Sequence, residues 1–280
     1  MHSRDLLGKG KVWKVGVPCL LAATFCLAFG CSAFAQTPGD TNPNPSEHSH
    51  PLQGEVQHDE TLPPIAPQYS VGNTLDPGQL TSQTPNNRWF PIPAWFAGTW
   101  HSDEQTVLQL HDYDSELTVT RPYAMKEISD TTYGMQRDKT GQVWHFIKVP
   151  KTMKQTVSQG TAYLTSSQEE PIEYDSNRVV IKFRYEQLIV SGKNVIESVK
   201  QVQSINVYTP MEDGLVSLHA SLKSFDADGN PKILQEGAKM LKRTAKYADM
   251  NTDGDLNLKA MFAEYLKNSD QANLISQDGQ

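Results

Sequence analysis

From Trp100 onward, apolar side chains recur at every second residue over runs of seven or more, and this period limits the fold most. Val179, Ile181, Phe183 and Tyr185 alternate with Val180, Lys182, Arg184 and Glu186. Val216, Leu218, Ala220 and Leu222 alternate with Ser217, His219, Ser221 and Lys223. Val143, His145, Ile147 and Val149 share one face, and Trp144, Phe146 and Lys148 the other. Successive side chains of a strand point to opposite faces, so this period marks half-buried antiparallel strands. The breaks between runs are Asp138-Lys139-Thr140-Gly141, Ser191-Gly192-Lys193-Asn194, Glu212-Asp213-Gly214 and Asp226-Ala227-Asp228-Gly229. Asp, Asn and Gly tolerate the positive φ of tight hairpins. No helix-length periodic segment separates consecutive strands, which excludes a βαβ fold. The fold expected is mostly β: an antiparallel up-and-down meander of eight or nine strands over 99–243. It would close into a barrel or fold as a sandwich, with a short C-terminal helical segment.

Upstream of the meander the composition changes twice. Residues 1–14 carry Arg4, Lys9, Lys11 and Lys14 against Asp5, an apolar run follows, and Ala33-Phe34-Ala35 closes it. A basic region, an apolar stretch and small residues at a cleavage site read as a signal peptide over 1–35. That places the protein outside the cell or in a periplasm. The alternatives are an uncleaved anchor and a lipoprotein acylated on Cys31, and only these would give it a membrane contact. Cleavage near Ala35 takes a net +3 with it, so the −7 of the whole chain becomes −10. All three cysteines (Cys19, Cys26, Cys31) lie in the leader. The remaining chain therefore has no disulfide, Cys nucleophile or thiolate metal site. The acidic balance excludes a nucleic-acid partner, which requires clustered basic charge.

Residues 36–87 hold nine prolines among Asn, Thr, Ser, Gln and Gly, with few apolar side chains. Such a segment buries too little surface to offset its ordering entropy, so a disordered linker is expected. His48, His50 and His58 fall in it and are read as solvated. The folded unit, a barrel-like domain over 88–245, begins in the aromatic segment Arg88-Trp89-Phe90. Residues 246–280 are read as a loop, a helix and a tail.

Gly98-Thr99-Trp100 enters the first strand of the meander after an aromatic, Pro-rich stretch. In this position it resembles the G-x-W signature of lipocalins and related calycins. The resemblance implies a barrel whose closed end is plugged by Trp100 and whose lumen binds a small hydrophobic ligand. Lys242 or Arg243 would be the basic residue that packs on the Trp. Trp144, Phe146, Phe183 and Tyr185 are the aromatic candidates for lining such a lumen.

One loop carries ion chemistry. Asp249, Asn251, Asp253, Asp255 and Asn257, with Gly254 at the sixth position, resemble the calcium loop of the EF-hand. Oxygen ligands at alternate positions curl around one hard cation. Position twelve, where a bidentate Glu belongs, is Ala260. The alternative is an Asp/Asn/Gly turn that caps a helix at about 257–268.

No catalytic constellation is found. His101, His111, His145 and His219 lie on different strands without zinc-site spacing, and no nucleophile-elbow, Walker or Rossmann motif occurs. Glu169-Glu170 before Pro171 reads as a solvated loop. The functional expectation is a non-catalytic barrel that binds a small hydrophobic ligand or scaffolds the cell envelope through an envelope protein. A calcium-stabilised surface protein, and an enzyme with an unidentified acid/base pair, are the alternatives.

Overall fold

The computed structural model describes residues 57–81 and 86–276. The leader, its cleavage site, Cys31, His48, His50 and the linker before residue 57 lie outside the described residues. The strands are β1 (Asn86–Ile92), β2 (Gly98–Asp112), β3 (Leu117–Val119), β4 (Tyr123–Tyr133), β5 (Gln136–Arg137), β6 (Val143–Val149) and β7 (Lys151–Val157). They continue as β8 (Gly160–Tyr174), β9 (Val179–Val190), β10 (Ile196–Pro210), β11 (Leu215–Phe225), β12 (Pro231–Lys246), β13 (Thr252–Asp253) and β14 (Leu256–Asn257). The helices are α1 (Pro77–Thr81) and α2 (Leu258–Asn268).

Among the described residues, nine strands make the main antiparallel sheet. Its order is β7-β8-β9-β10-β11-β12-β2, and the far edge of β2 pairs with β4 and then β3. The four turn sequences link strands as expected. A single contact proves the curl. Tyr133 on β4 and Tyr208 on β10 share a hydrogen bond of 2.7 Å between their hydroxyls. Four strand spacings separate them, about 19 Å in a flat sheet. Only a sheet rolled toward that face brings the two hydroxyls together, so this face is the concave side of a half-barrel. Among the described residues, the end strands β4 and β7 do not pair with each other.

A second small sheet, β1-β6-β5, fills one end of the curl. Phe90 and Ile92 of β1 and Val143, Ile147 and Val149 of β6 face inward. There they join Trp100, Tyr133, Val179, Ile181, Tyr208, Val216, Leu218 and Leu241 in one core. The outward face of β6 carries Trp144 and Phe146, which pack with Trp89 against Leu258, Phe262 and Leu266 of α2. The alternation along β6 thus holds as read, but β6 belongs to the second sheet and not to the meander.

The convex face is also covered. Residues 57–81, read from the sequence as part of the linker, lie packed on it. Leu62 and Ile65 donate their backbone N–H to Gly229 and Ala227 carbonyls. Leu75 and Leu80 are buried with Tyr163, Leu188, Val190 and Ile196. A Cβ on Gly229 (φ +88°) would stand 1.7 Å from the Leu62 carbonyl oxygen, so only glycine lets this strap approach. Composition misses the strap because four spaced apolar anchors and backbone pairing hold it, not an apolar run.

Candidate functional site

The concave face divides into two ends. At the closed end Trp100 is 1% exposed and its Nε1 donates to the Phe96 carbonyl at 2.9 Å. The Arg243 guanidinium lies 4.7 Å over the Trp100 ring and donates to the Trp95 carbonyl at 2.7 Å. Phe96 stacks on Tyr133 at 4.0 Å and meets Tyr208 at 4.8 Å.

Strand register lays out the rest of this face in rows. One row is Tyr174, Val179, Tyr208, Leu218 and Lys239. The next is Pro171, Ile181, Asn206, Ala220, Gly237 and Val107. Then come Glu169, Phe183, Ser204, Leu222, Gln235 and Leu110, followed by Ser166, Tyr185, Val202, Ser224 and Ile233. The small sheet packs against Val179, Ile181, Tyr208 and Leu218 of the first two rows, and its His145 reaches Glu169 of the third. Further along, Tyr185, Leu222, Leu110 and Ile233 are half-buried, as is Phe183 at the edge of the shared core. This open end is the candidate site.

Its floor is polar. Lys239 Nζ donates to Glu127 Oε1 at 2.7 Å, and both side chains are 4% exposed. Ser204 donates to Asn206 Oδ1 at 2.8 Å, and Asn206 Nδ2 to the Tyr208 hydroxyl at 3.2 Å. Gly237 leaves room for Gln105, whose Nε2 would be 2.6 Å from a Cβ there. Gln235 is 2% exposed, and its Oε1 has no hydrogen-bond partner among the described residues. A buried acceptor without a partner costs stability unless something else satisfies it.

At the boundary between the ends, His145 and Glu169 approach within 3.9 Å, both buried. The Gly134 N–H donates to His145 Nδ1, which puts the ring proton on Nε2, facing the carboxyl. Burial pulls the imidazole down to about 3 and pushes the carboxyl up to about 8, the latter opposed by the Lys151 charge. Near neutral pH both groups are uncharged. Glu169 lies within strand β8 and not in the solvated loop the sequence suggested. Pro171 misleads here, because β8 carries it at a register irregularity where no ladder donor is needed.

The four aromatic candidates do not come together. Phe183 and Tyr185 stand in adjacent rows of the open end. Trp144 and Phe146 lie outside it, under α2, where Trp144 Nε1 donates to Asp138 Oδ2 at 3.0 Å. Periodicity assigned their shared face correctly but not the sheet. Lys239, Glu127, Gln235 and Glu169 were not singled out as site residues. Their one signal was a polar side chain at a position that should be apolar.

The residues of the calcium-like loop stand as follows. Gly254 (φ +57°) opens the two-residue turn of the β13–β14 hairpin, as a type II′ turn prefers. Asn257 caps α2, its Oδ1 accepting from the Ala260 N–H at 3.0 Å. Asp249 accepts from the Tyr247 hydroxyl. Asn251 accepts at its backbone carbonyl from the Lys259 N–H at 3.4 Å. Asp253 pairs with Leu256 across the hairpin, and Asp255 is exposed. Among the described residues, no three His, Cys, Asp or Glu side chains gather around one point.

On the convex side, Ser221 Oγ lies 2.9 Å from His58 Nε2 and 2.6 Å from Glu236 Oε1. His58 Nδ1 meets Gln203 Oε1 at 3.1 Å, an oxygen that also accepts from the Asp59 N–H. Burial lowers His58 to about 4, although the Gln203 hydrogen bond and the Glu236 charge oppose it. Ser221 therefore has one proton and two acceptors while the ring is neutral. Being 1% exposed, it is a structural link between strap and sheet and not a nucleophile.

No protein-family model, curated protein or solved structure matches this chain.

Proposed function

We propose that this chain is a lipocalin-like, non-catalytic carrier of the periplasm or extracellular space. It would hold a small, largely apolar molecule in the open end of its half-barrel. The observation that carries this reading is the half-filled concave face. Phe183, Tyr185, Leu222, Leu110 and Ile233 are only half-buried inside a curl whose other end is tightly packed, with Phe183 at the edge of that packed core. Small-ligand sites combine such apolar walls with a few fixed polar groups. The lipocalin likeness is supported by Arg243 over Trp100, since the G-x-W resemblance calls for a late basic residue there.

The close His145–Glu169 pair favours the second reading, an enzyme. Phe90 edges the imidazole at 5.4 Å and Tyr133 flanks it at 5.4 Å, and both residues of the pair are buried. General acid–base chemistry requires contact with substrate. The carrier is therefore the better reading.

The test is a titration with N-phenyl-1-naphthylamine, an uncharged apolar fluorophore. Saturable binding is expected, weakened about tenfold by Phe183→Asp or Tyr185→Asp, because a carboxylate in the wall must be desolvated. Trp144→Leu, under α2, should leave it unchanged. Non-saturable binding, or equal affinity in all variants, would overturn the carrier reading.

A further inference from the structure

The mouth of the half-barrel holds a cation with no counter-ion. Lys200 lies on β10, two residues before Val202 and four before Ser204, so it takes the same, concave face. Register sets it beside Gln187 of β9, Gln187 beside Leu164 of β8, and Leu164 beside Met153 of β7. This row lies one step, about 7 Å, beyond the row of Tyr185, Val202 and Ile233. Lys200 is half-buried, and among the described residues it has no hydrogen-bond or ion-pair partner. Its row neighbours offer it no charge. Burial pulls the amine down to about 8, and no carboxylate offsets the pull.

The acids that share this face are engaged elsewhere. Among the described residues they are Asp112, Glu127 and Glu169. Asp112 accepts the N–H groups of Asp114 and Ser115. Glu127 is paired with Lys239. Glu169 faces His145, and burial keeps its carboxyl protonated near neutral pH. Glu197, three residues from Lys200, is exposed at the register shift that opens β10. A cation drawn partly out of water without a partner costs stability, and an anion that completes the pair recovers it.

Resting on the carrier reading, we infer that the ligand of the half-barrel is an apolar molecule with one terminal carboxylate, and that Lys200 pairs with that carboxylate at the mouth. The apolar body lies along Tyr185, Leu222 and Ile233 toward Phe183. From the row of Lys200 to that of Phe183 is two steps, about 14 Å, which suits a medium-length chain. One amine balances one negative charge. A phosphate monoester would bring a second, with Lys239 held by Glu127 and Lys151 set beside Glu169. An amine-ended ligand would meet a like charge and be rejected.

The probe is decanoate, with 1-decanol as its uncharged counterpart. Each is titrated at neutral pH against N-phenyl-1-naphthylamine bound to the whole chain. Decanoate should displace the fluorophore at about tenfold lower concentration than decanol, because charge-assisted bonds are the stronger ones. Lys200→Met should remove that advantage and leave decanol and the fluorophore unchanged. It should also raise, not lower, the melting temperature of the empty protein, since it deletes an unpaired, partly desolvated charge. A purely structural lysine would show the opposite. Lys200→Arg should keep most of the preference for the acid, and Lys193→Met, in an exposed turn, all of it. Fluorophore binding with decanoate no better than decanol, or a preference for the acid that survives Lys200→Met, would overturn the inference and leave the carrier standing. Loss of saturable fluorophore binding would overturn the carrier, and the inference with it.

Discussion

The two ends of the concave face are built on the same strands, yet they bury different things. At the closed end the rows through Tyr208 and Ile181 meet a second sheet, and aromatic rings fill the curl. At the open end the same strands, two to four residues on, carry Phe183, Tyr185, Leu222 and Ile233 half-exposed above buried Ser, Asn, Gln and an ion pair. The difference teaches where stability and function separate. Cavities and lost contacts are costly only where neighbours are close-packed and cannot collapse. Truncation should therefore hurt the closed end far more than the open one.

The largest effect is expected at Trp100. Trp100→Ala removes a fully buried ring, its hydrogen bond to Phe96 and the seat of Arg243. A loss of about 4 kcal/mol is expected by urea unfolding, in the range for large aromatic truncations. A loss under about 1 kcal/mol would erase the distinction between the ends. Next comes the ion pair in the floor of the open end. Lys239→Met leaves the Glu127 carboxylate buried without its partner and should cost about 3 kcal/mol. Adding Glu127→Leu should restore most of that, since an apolar pair of similar size carries no desolvation penalty. Failure of the double variant to recover would show the pair to be an indispensable part of the floor.

The pH dependence comes third, and its sign differs between groups. Glu169 titrates at about 8 in the fold against 4.5 ordinarily. The unfolded chain loses that proton first, so its contribution is full below about 4.5 and is lost as pH rises to about 8. Glu186 is also raised by burial and acts in the same sense. His58 (about 4) and His145 (about 3) are lowered from 6.5. Their contributions are held above about 6.5 and lost on acidification. Stability should therefore peak near pH 6.5 and decline on both sides. Thermal unfolding across pH 4 to 8 reads this. Glu169→Gln should remove most of the alkaline decline, and His58→Gln part of the acid one. Unchanged profiles in both variants would mean that neither group carries the titration.

The sequence disclosed these regions unequally. Alternation and turn chemistry are local, so the main strands, the hairpins and α2 could be read from neighbours along the chain. Trp100 could be placed at the start of the first long strand because Gly98 and the aromatic stretch before it are also local. The half-barrel was not, since its closure depends on whether β4 meets β7. The strap was hidden because its holding partners, Gly229, Gln203 and Ser221, lie more than 140 residues away. Separation along the chain also hid the site: Lys239 and Glu127 are 112 residues apart and make sense only as a pair. Trp144 and Phe183 read alike, as aromatics on strands, and only the assignment of β6 to the second sheet separates them.

The smallest stability effect should fall at the open end, where it is most informative. Leu222 is half-buried in the row that holds Phe183 and Gln235. Leu222→Thr puts a β-branched residue, which strands favour, in place of leucine and removes little buried surface, so the expected loss is under about 1 kcal/mol. If this end is built to hold a ligand, the same change should weaken the uncharged fluorophore severalfold, because the lost wall is restored from water only on binding. A side chain that matters little to the empty fold and much to the filled one distinguishes a binding surface from an incompletely packed core. Should Leu222→Thr instead destabilise as strongly as Trp100→Ala and leave the fluorophore untouched, the open end would be core like the closed one. The half-barrel would then have no interior free for a ligand.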